Sequence, residues 1–222
     1  MKILAHRGWW LEPEEKNRMV AFERAFASGY GVELDVRDLV GDLVIAHDPP
    51  VQGAITFDEV LECWASYGAP GRIAVNIKAD GLAPMVHACL ERHGHSERAF
   101  VFDASVPDLR AYLATELAVF TRYSEVEPVP AFFELCQGVW VDSFSREPAS
   151  IERAIDYLEE GKHVALVSPE LHKRPHASVW ADWASALDAA GGADRYGERL
   201  LICTDFPREA EHHFTRQAEN VE

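Results

Sequence analysis

The chain lacks the features that mark several common classes of protein. It has no run of about 18 apolar residues and no apolar signal segment after Met1, so neither a membrane span nor secretion is indicated. The first predicted strand-to-helix junction, His6-Arg7-Gly8-Trp9-Trp10, has no glycine-rich nucleotide-binding pattern. These absences predict a cytoplasmic protein that does not insert into membranes.

Basic residues are also scarce, with 21 Lys and Arg against 37 Asp and Glu and a formal net charge of −16. Such a surplus of carboxylates repels phosphate backbones, so no nucleic acid partner is expected. The cysteines are far apart, lie in apolar stretches and include no Cys-x-x-Cys pair, which favours buried structural thiols over disulfides or metal ligands. They are Cys63, Cys89, Cys136 and Cys203.

The chain does contain a regular alternation of short apolar segments with longer segments whose apolar residues recur three and four positions apart. The short segments predict eight strands: Lys2–His6, Gly31–Val36, Arg72–Ile77, Ala99–Asp103, Leu117–Thr121, Gly138–Asp142, His163–Ser168 and Arg199–Thr204. The longer segments predict helices over Lys16–Ala27, Phe57–Tyr67, Leu82–Arg92, Val106–Ala114, Ala131–Leu135, Ser150–Glu159 and Ser178–Ala190.

The order of these elements predicts the fold class. Eight strands that alternate with helices predict an α/β protein, a (β/α)8 TIM barrel that forms a single domain over residues 1–222. Residues 39–45, with Gly41-Asp42 at the turn, predict a small hairpin inserted after the second strand. A doubly wound open sheet is the alternative, and the missing nucleotide-binding pattern disfavours it.

The carboxyl ends of barrel strands form the rim on which active sites are built. Nearly every predicted strand here ends in an ionisable or metal-binding residue. A single such residue is compatible with a solvated polar side chain, but the set indicates a catalytic rim. The candidates are His6, Arg7, Glu33, Asp35, His47, Asp48, Asn76, Lys78, Asp103, Arg122, Asp142, Glu170, His172 and Asp205.

Glu33 and Asp35 are two residues apart in an apolar strand, so their side chains share one face. Two carboxylates inside a barrel need a cation between them, and oxygen ligands favour a hard divalent ion such as Mg²⁺ or Ca²⁺. The other interpretation is an outward-facing pair. It is disfavoured because helices cover the outside of a barrel.

His6 and His47 end different segments and are expected beside these carboxylates. One neutral and one protonated imidazole act as general base and general acid near neutral pH, and metal ligation is the alternative role. Arg7 and Lys78 supply positive charge for an anionic substrate, or they pair with rim carboxylates. Metal ligands together with fixed cations suit phosphoryl chemistry.

Taken in order, five motifs resemble the glycerophosphodiester phosphodiesterase family, in the group that includes phosphatidylinositol-specific phospholipase C. They are His6-Arg7-Gly8, Pro13-Glu14-Glu15-Lys16-Asn17, Glu33-Leu34-Asp35-Val36, His47-Asp48 and Thr204-Asp205-Phe206-Pro207. The resemblance implies a (β/α)8 barrel, a Mg²⁺ or Ca²⁺ ion on Glu33 and Asp35, and His6 and His47 as the acid–base pair. It also implies that Arg7 and Lys78 hold the phosphate oxygens.

The chain departs from the family pattern on the third predicted strand. Val75-Asn76-Ile77-Lys78 has Asn where the family usually has Glu, so Asn76 offers the metal a carbonyl oxygen without a charge. Asp103 on the next strand is predicted to compensate as a further metal ligand. The basic segment 168–176 predicts a substrate-selecting loop with Glu170 and His172 on the substrate, or else a solvated loop.

The sequence therefore predicts metal-dependent hydrolysis of a small, soluble, anionic phosphodiester by His6 and His47. Three alternatives stay open. They are a lyase or phosphotransferase that releases a cyclic phosphate, a non-catalytic phosphate-binding barrel and, more distantly, a sugar hydrolase with two carboxylates. The oligomeric state and the preferred ion are not predicted.

Overall fold

A computed structural model describes residues 1–216 of the chain. The strands are β1 (Lys2–His6), β2 (Gly31–Leu39), β3 (Asp42–Ile45), β4 (Ile73–Ile77), β5 (Ala99–Phe102), β6 (Ala118–Tyr123), β7 (Gly138–Val141), β8 (His163–Val167) and β9 (Leu200–Thr204). The helices are α1 (Met19–Ala27), α2 (Phe57–Ser66), α3 (Ala83–His93), α4 (Val106–Leu113), α5 (Ile151–Glu159), α6 (Ala177–Ala189) and α7 (Pro207–Arg216).

The chain divides into two compact units. One is Leu4–Phe120, and the other joins Met1–Ile3 to the described residues from Thr121 onward. In the first unit, β1 pairs in parallel with β2, β2 with β4, β4 with β5 and β5 with β6. Helices α1 to α4 connect these strands, and neighbouring helices pack against one another. Parallel strands require such crossover helices.

The second unit repeats this pattern. Strand β7 pairs in parallel with β8, and β8 with β9. Its hydrophobic core joins these strands to α5, α6 and α7, with Trp180 and Trp183 of α6 almost fully buried at its centre. Burying such large aromatic side chains contributes much of a core's stability.

The predicted fold class is confirmed. Eight strands in parallel pairs alternate with helices as in a (β/α)8 barrel, and β3 pairs antiparallel with the end of β2 as the predicted hairpin. The division into a single domain stays a prediction. Within the described residues, no helix is both long and apolar enough to cross a membrane.

Two predicted helices differ from the observed ones, and one observed helix was not predicted. The segment 131–135 is a turn, not a helix, since Phe132 has φ 52° and a left-handed residue cannot continue a right-handed helix. Helix α1 begins at Met19, because Asn17 also has a positive φ, of 57°. Helix α7 was not predicted from the sequence, where only the spacing of Ala210 and Phe214 marks its buried face.

Candidate active site

Strand register brings the predicted site residues of the first unit together. His6 is the register partner of Glu33, and Asp35 is the partner of Asn76. Glu33, Asp35 and Asn76 therefore lie side by side on one face of the strands, while Leu34, between the two carboxylates, is fully buried on the other face. The alternative of a solvent-exposed pair does not fit, since both carboxylates are buried.

The His6-Arg7-Gly8 motif turns the chain sharply at the end of β1. Arg7 has φ 57°, and its amide N–H donates to the Glu33 carbonyl oxygen at 2.9 Å. Gly8 has φ 84°, and a Cβ there would lie 2.8 Å from the backbone of Ala21 in α1. Only glycine fits this approach, so the motif fixes where the Arg7 side chain leaves the strand.

Asp35 lies at the centre of a group of polar contacts and is fully buried. Arg7 Nε lies 2.9 Å from Asp35 Oδ2, and Lys78 Nζ lies 3.4 Å from Oδ1. Asn17 Nδ2 donates a hydrogen bond to Oδ2 at 2.8 Å. A carboxylate buried with two cations and an amide donor is compensated, whereas alone it would cost several kcal/mol.

Sequence reasoning did not assign Asn17 to the site. It lies in the Pro-Glu-Glu-Lys-Asn motif, and that motif was the signal that pointed to it. Asn17 is buried, and its backbone N–H donates to the Arg7 carbonyl oxygen at 3.0 Å. Its φ of 57° is a conformation that Asn tolerates better than most residues. The loop before α1 is thereby attached to the end of β1.

Glu33 has a different environment from Asp35. Its Oε1 accepts a hydrogen bond from Asn76 Nδ2 at 3.1 Å, and its Oε2 accepts one from the Arg7 N–H at 3.2 Å. His6 Nε2 lies 3.9 Å from Oε2. Burial and the neighbouring Asp35 carboxylate raise the pKa of Glu33, and His6, Arg7 and Lys78 oppose that rise. Glu33 is thus the less well compensated carboxylate of the pair.

Asp103 directly follows β5. The preceding residue, Phe102, is the register partner of Asn76, and Asp103 itself has φ 61°. Its Oδ2 lies 4.0 Å from Lys78 Nζ, so Lys78 stands between Asp35 and Asp103. Its assignment as a metal ligand stays a prediction. The contact with Lys78 favours a second role, in which Asp103 holds that lysine.

His47 lies at the end of the hairpin. The Ala46 N–H donates to the Asp35 carbonyl oxygen at 3.0 Å, and Arg37 Nε donates to the His47 carbonyl oxygen at 3.0 Å. These bonds hold the His47 backbone beside β2. The imidazole is about half exposed, and its Nδ1 lies 3.0 Å from Asp48 Oδ1. A carboxylate on one ring nitrogen orients an imidazole and leaves Nε2 to exchange protons.

The buried oxygens of this site suit a hard divalent cation. Among the residues described, Asn76 Oδ1 accepts no hydrogen bond, and Asp35 Oδ1 has only the ion pair with Lys78. Together with Glu33 they offer carboxylate and amide oxygens, the ligands that Mg²⁺ and Ca²⁺ prefer. Arg7 and Lys78 already balance Asp35, which predicts weaker cation affinity than an uncompensated carboxylate pair would have.

Glu170 and His172 lie in the second unit. The Glu170 carboxylate accepts hydrogen bonds from the Ser168 and Thr204 hydroxyls and, at 3.1 Å, from the Asp205 N–H. His172 Nε2 lies 2.7 Å from Asp142 Oδ1. Their substrate-binding roles stay predictions. The Glu170 contacts also give the Thr-Asp-Phe-Pro motif a structural role, because they tie the ends of β8 and β9 together.

No model of a protein family and no curated protein sequence matches the chain. Solved structures do match it. A glycerophosphodiester phosphodiesterase from Agrobacterium tumefaciens str. C58 is 19% identical, with a TM-score of 0.70 over 96% of this chain and 98% of that one. A putative glycerophosphodiester phosphodiesterase from Galdieria sulphuraria is 15% identical, with a TM-score of 0.71 over 96% and 97%.

A more distant match is a Ca²⁺-dependent phosphatidylinositol-specific phospholipase C from Streptomyces antibioticus. It is 12% identical, with a TM-score of 0.55 over 96% of each chain. All three identities are low, so the matches establish the fold. The predicted resemblance is confirmed at this level: the chain has the (β/α)8 fold of the glycerophosphodiester phosphodiesterases and the phospholipase C over nearly its whole length.

Proposed function

We propose that the protein is a phosphoric diester hydrolase that acts on a small glycerophosphodiester with the help of a divalent cation. The observation that carries the proposal is the buried pair Glu33 and Asp35, with Arg7, Lys78 and His6 around it at the carboxyl end of parallel strands. The likeness in fold to phosphodiesterases supports this choice over a sugar hydrolase.

Glu33, Asp35 and Asn76 would hold the cation, because they carry the buried oxygens of the site. A bound Mg²⁺ or Ca²⁺ ion supplies positive charge that stabilises the phosphoryl oxygens. Asn76 brings no charge and both cations lie near Asp35, so we expect a readily reversible, weakly bound ion.

Arg7 and Lys78 bind and orient the phosphate. Arg7 contacts Asp35 through Nε, and its guanidinium has further N–H donors for a bidentate contact with two phosphate oxygens. Lys78 lies between Asp35 and Asp103, which fixes its ammonium at the site. Fixed cations of this kind favour an anionic diester over a neutral substrate.

His6 and His47 transfer the protons. His6 Nε2 lies 3.9 Å from Glu33 Oε2, beside the proposed cation ligands, and we assign the neutral ring to accept the proton of the attacking hydroxyl or water. His47 is oriented by Asp48 and is about half exposed, so we assign it to protonate the leaving alcohol. Asp48 acts as a positioning residue.

The proposal is tested by phosphorus NMR of glycerophosphodiesters and sugar-phosphate diesters with Mg²⁺, with Ca²⁺ and with a chelator. We expect a monoester signal that needs both the ion and His6, with His6→Ala about 10²–10⁴-fold slower. Asp38→Asn, on the exposed end of β2, is the matched control and is expected to keep full activity.

Labelled water distinguishes the chemical outcomes. Incorporation of ¹⁸O into the monoester product supports hydrolysis. An unlabelled cyclic phosphate product would contradict hydrolysis and support the lyase alternative. Binding of a diester without turnover, with or without either ion, would overturn the proposal in favour of a phosphate-binding barrel.

We also propose that the chain acts in the cytoplasm. All four cysteines are free thiols, which is typical of proteins in a reducing compartment and supports the location. We propose further that the chain folds as a single domain. A single cooperative unfolding transition, seen by two probes, is the expected result for one domain. Two separated transitions would contradict it.

A further inference from the structure

A second polar cluster lies away from the strand ends, between helices α2 and α3 of the first unit. Asp58 is in the first turn of α2, and Cys89 and His93 are one turn apart on the same face of α3. Among the described residues, this is the one group of three or more His, Cys, Asp or Glu side chains whose ligand atoms all lie within 4.8 Å of one another.

The cap of α2 determines which carboxylate of its first turn faces α3. Thr56 caps α2, and Glu59 completes a capping box with it, so Glu59 is used by the cap and Asp58 is left to face α3. The α2 and α3 helices pack against each other. Cys89 is buried, while Asp58 is about half exposed, so the cluster has an inner and an outer side.

One of the two distances from Asp58 matches a tetrahedral metal site, and the other is shorter. Ligand atoms about 2.0–2.3 Å from a tetrahedral Zn²⁺ ion lie roughly 3.4–3.6 Å apart. Asp58 Oδ1 is 3.5 Å from Cys89 Sγ and 2.8 Å from His93 Nε2. A small rotation of the half-exposed Asp58 side chain opens the shorter distance.

We propose that Asp58, Cys89 and His93 bind a zinc ion that links α2 to α3, with solvent as the fourth ligand. A thiolate, an imidazole and a carboxylate are the ligands of Zn²⁺, unlike the all-oxygen set at Glu33 and Asp35. On binding, the thiol proton of Cys89 is released to solvent and a zinc–sulfur bond forms. This site is independent of the proposed phosphodiesterase activity.

Without a metal, the same groups are held together by hydrogen bonds. Burial and the Asp58 carboxylate raise the pKa of the Cys89 thiol to about 11. Arg92 Nη2 lies 2.7 Å from Asp58 Oδ1 and competes with a cation for that oxygen. Arg92 is largely exposed, so it can leave the carboxylate without loss of solvation.

The test is a titration of the full chain with Co²⁺, whose thiolate complexes absorb in the near ultraviolet. We expect one thiolate-bound cobalt ion per chain, with a thiolate band that Zn²⁺ abolishes by displacement. Cys89→Ser should remove the band, and His93→Ala should weaken binding at least tenfold. Cys63→Ser, which changes a cysteine outside the cluster, and Glu33→Gln, at the oxygen site, should keep the band.

Arg92→Gln separates a metal site from an ordinary ion pair. Removing the competing cation should tighten cobalt binding by about two- to fivefold, the range of an exposed ion pair. Saturating Zn²⁺ should also raise the Tm of the wild type but not of Cys89→Ser. A wild-type chain without a thiolate band, or a band that persists in Cys89→Ser, would overturn the proposal.

Discussion

The two units each carry a buried or half-buried carboxylate group at their strand ends, and the groups differ in one respect. In the second unit, both Glu170 oxygens accept hydrogen bonds from Ser168, Thr204 and Asp205. In the first unit, Asn76 Oδ1 accepts no hydrogen bond within the described chain, and Asp35 Oδ1 has only the Lys78 ammonium, 3.4 Å away and without hydrogen-bond geometry. Buried polar atoms are normally satisfied, so the unsatisfied group is the one suited to a ligand.

Backbone conformation sharpens this difference. Arg7, Asn17 and Asp103, all at the site of the first unit, have positive φ angles between 57° and 61°. Non-glycine residues in this region cost about 1–3 kcal/mol each and tend to cluster at functional sites. Beside Glu170, Lys173 also has a positive φ, of 60°, so the two groups differ in degree, with three such residues around Asp35 against one near Glu170.

The largest effect is expected from Asp35→Ala. It removes the carboxylate that the partly buried Arg7 and Lys78 share, so the free energy of unfolding in urea should fall by about 3–5 kcal/mol. Asp38→Ala, exposed on the same strand, is the control and should change it by less than about 0.5 kcal/mol. A similarly small loss in Asp35→Ala would remove the distinction between the two units.

Asn17 tests the strained backbone. Asn17→Ala loses a hydrogen bond to a charged group and keeps the positive φ, so we expect a loss of about 2–4 kcal/mol. Asn17→Gly loses the same bond without the steric cost, and it should be more stable than the alanine variant by about 1 kcal/mol. Equal urea midpoints for the two variants would show that this φ stores no strain.

Glu170→Gln tests the satisfied group. Three donors lose a charged acceptor, so the free energy of unfolding should fall by about 1–3 kcal/mol, measured by urea denaturation. If Glu170 acts only on the fold, the KM for the diester is unchanged. A raised KM with unchanged stability would instead support the substrate-binding role predicted from the sequence.

Glu33→Gln gives the smallest effect and a pH signature. Because burial and Asp35 raise the pKa of Glu33, folded Glu33 keeps its proton above the ordinary value of 4.5, where unfolded Glu33 has lost it. Wild-type stability therefore falls as pH rises from 4.5 through the raised pKa, by at most about 1.4 kcal/mol per pH unit.

The glutamine variant lacks this component, so in a chelator it should gain stability relative to the wild type over that pH range. Urea denaturation at several pH values measures the difference. Parallel stability profiles for the two chains would mean that the Glu33 carboxylate is not destabilised by burial.

Local patterns predicted the strands well, because a strand buried on both faces is a short apolar run that stands out in any sequence. Glu33 and Asp35 were predicted to share a face from their spacing of two alone. Asn17 was missed as a site residue, because its contact with Asp35 joins residues 18 positions apart and depends on a left-handed turn. The helix predicted at 131–135 failed for a similar reason, since Phe132 adopts a positive φ.

The amino-acid sequence by itself determined the alternation of strands and helices, the (β/α)8 fold and the residues that end each strand. Periodicity and turn residues act over a few positions, so they can be read directly. Only the tertiary structure decided which charges meet. It placed Arg7 and Lys78 on Asp35, satisfied Glu170 within its own unit, and brought Asp58 of one helix to Cys89 and His93 of the next, because such contacts depend on how separate elements pack.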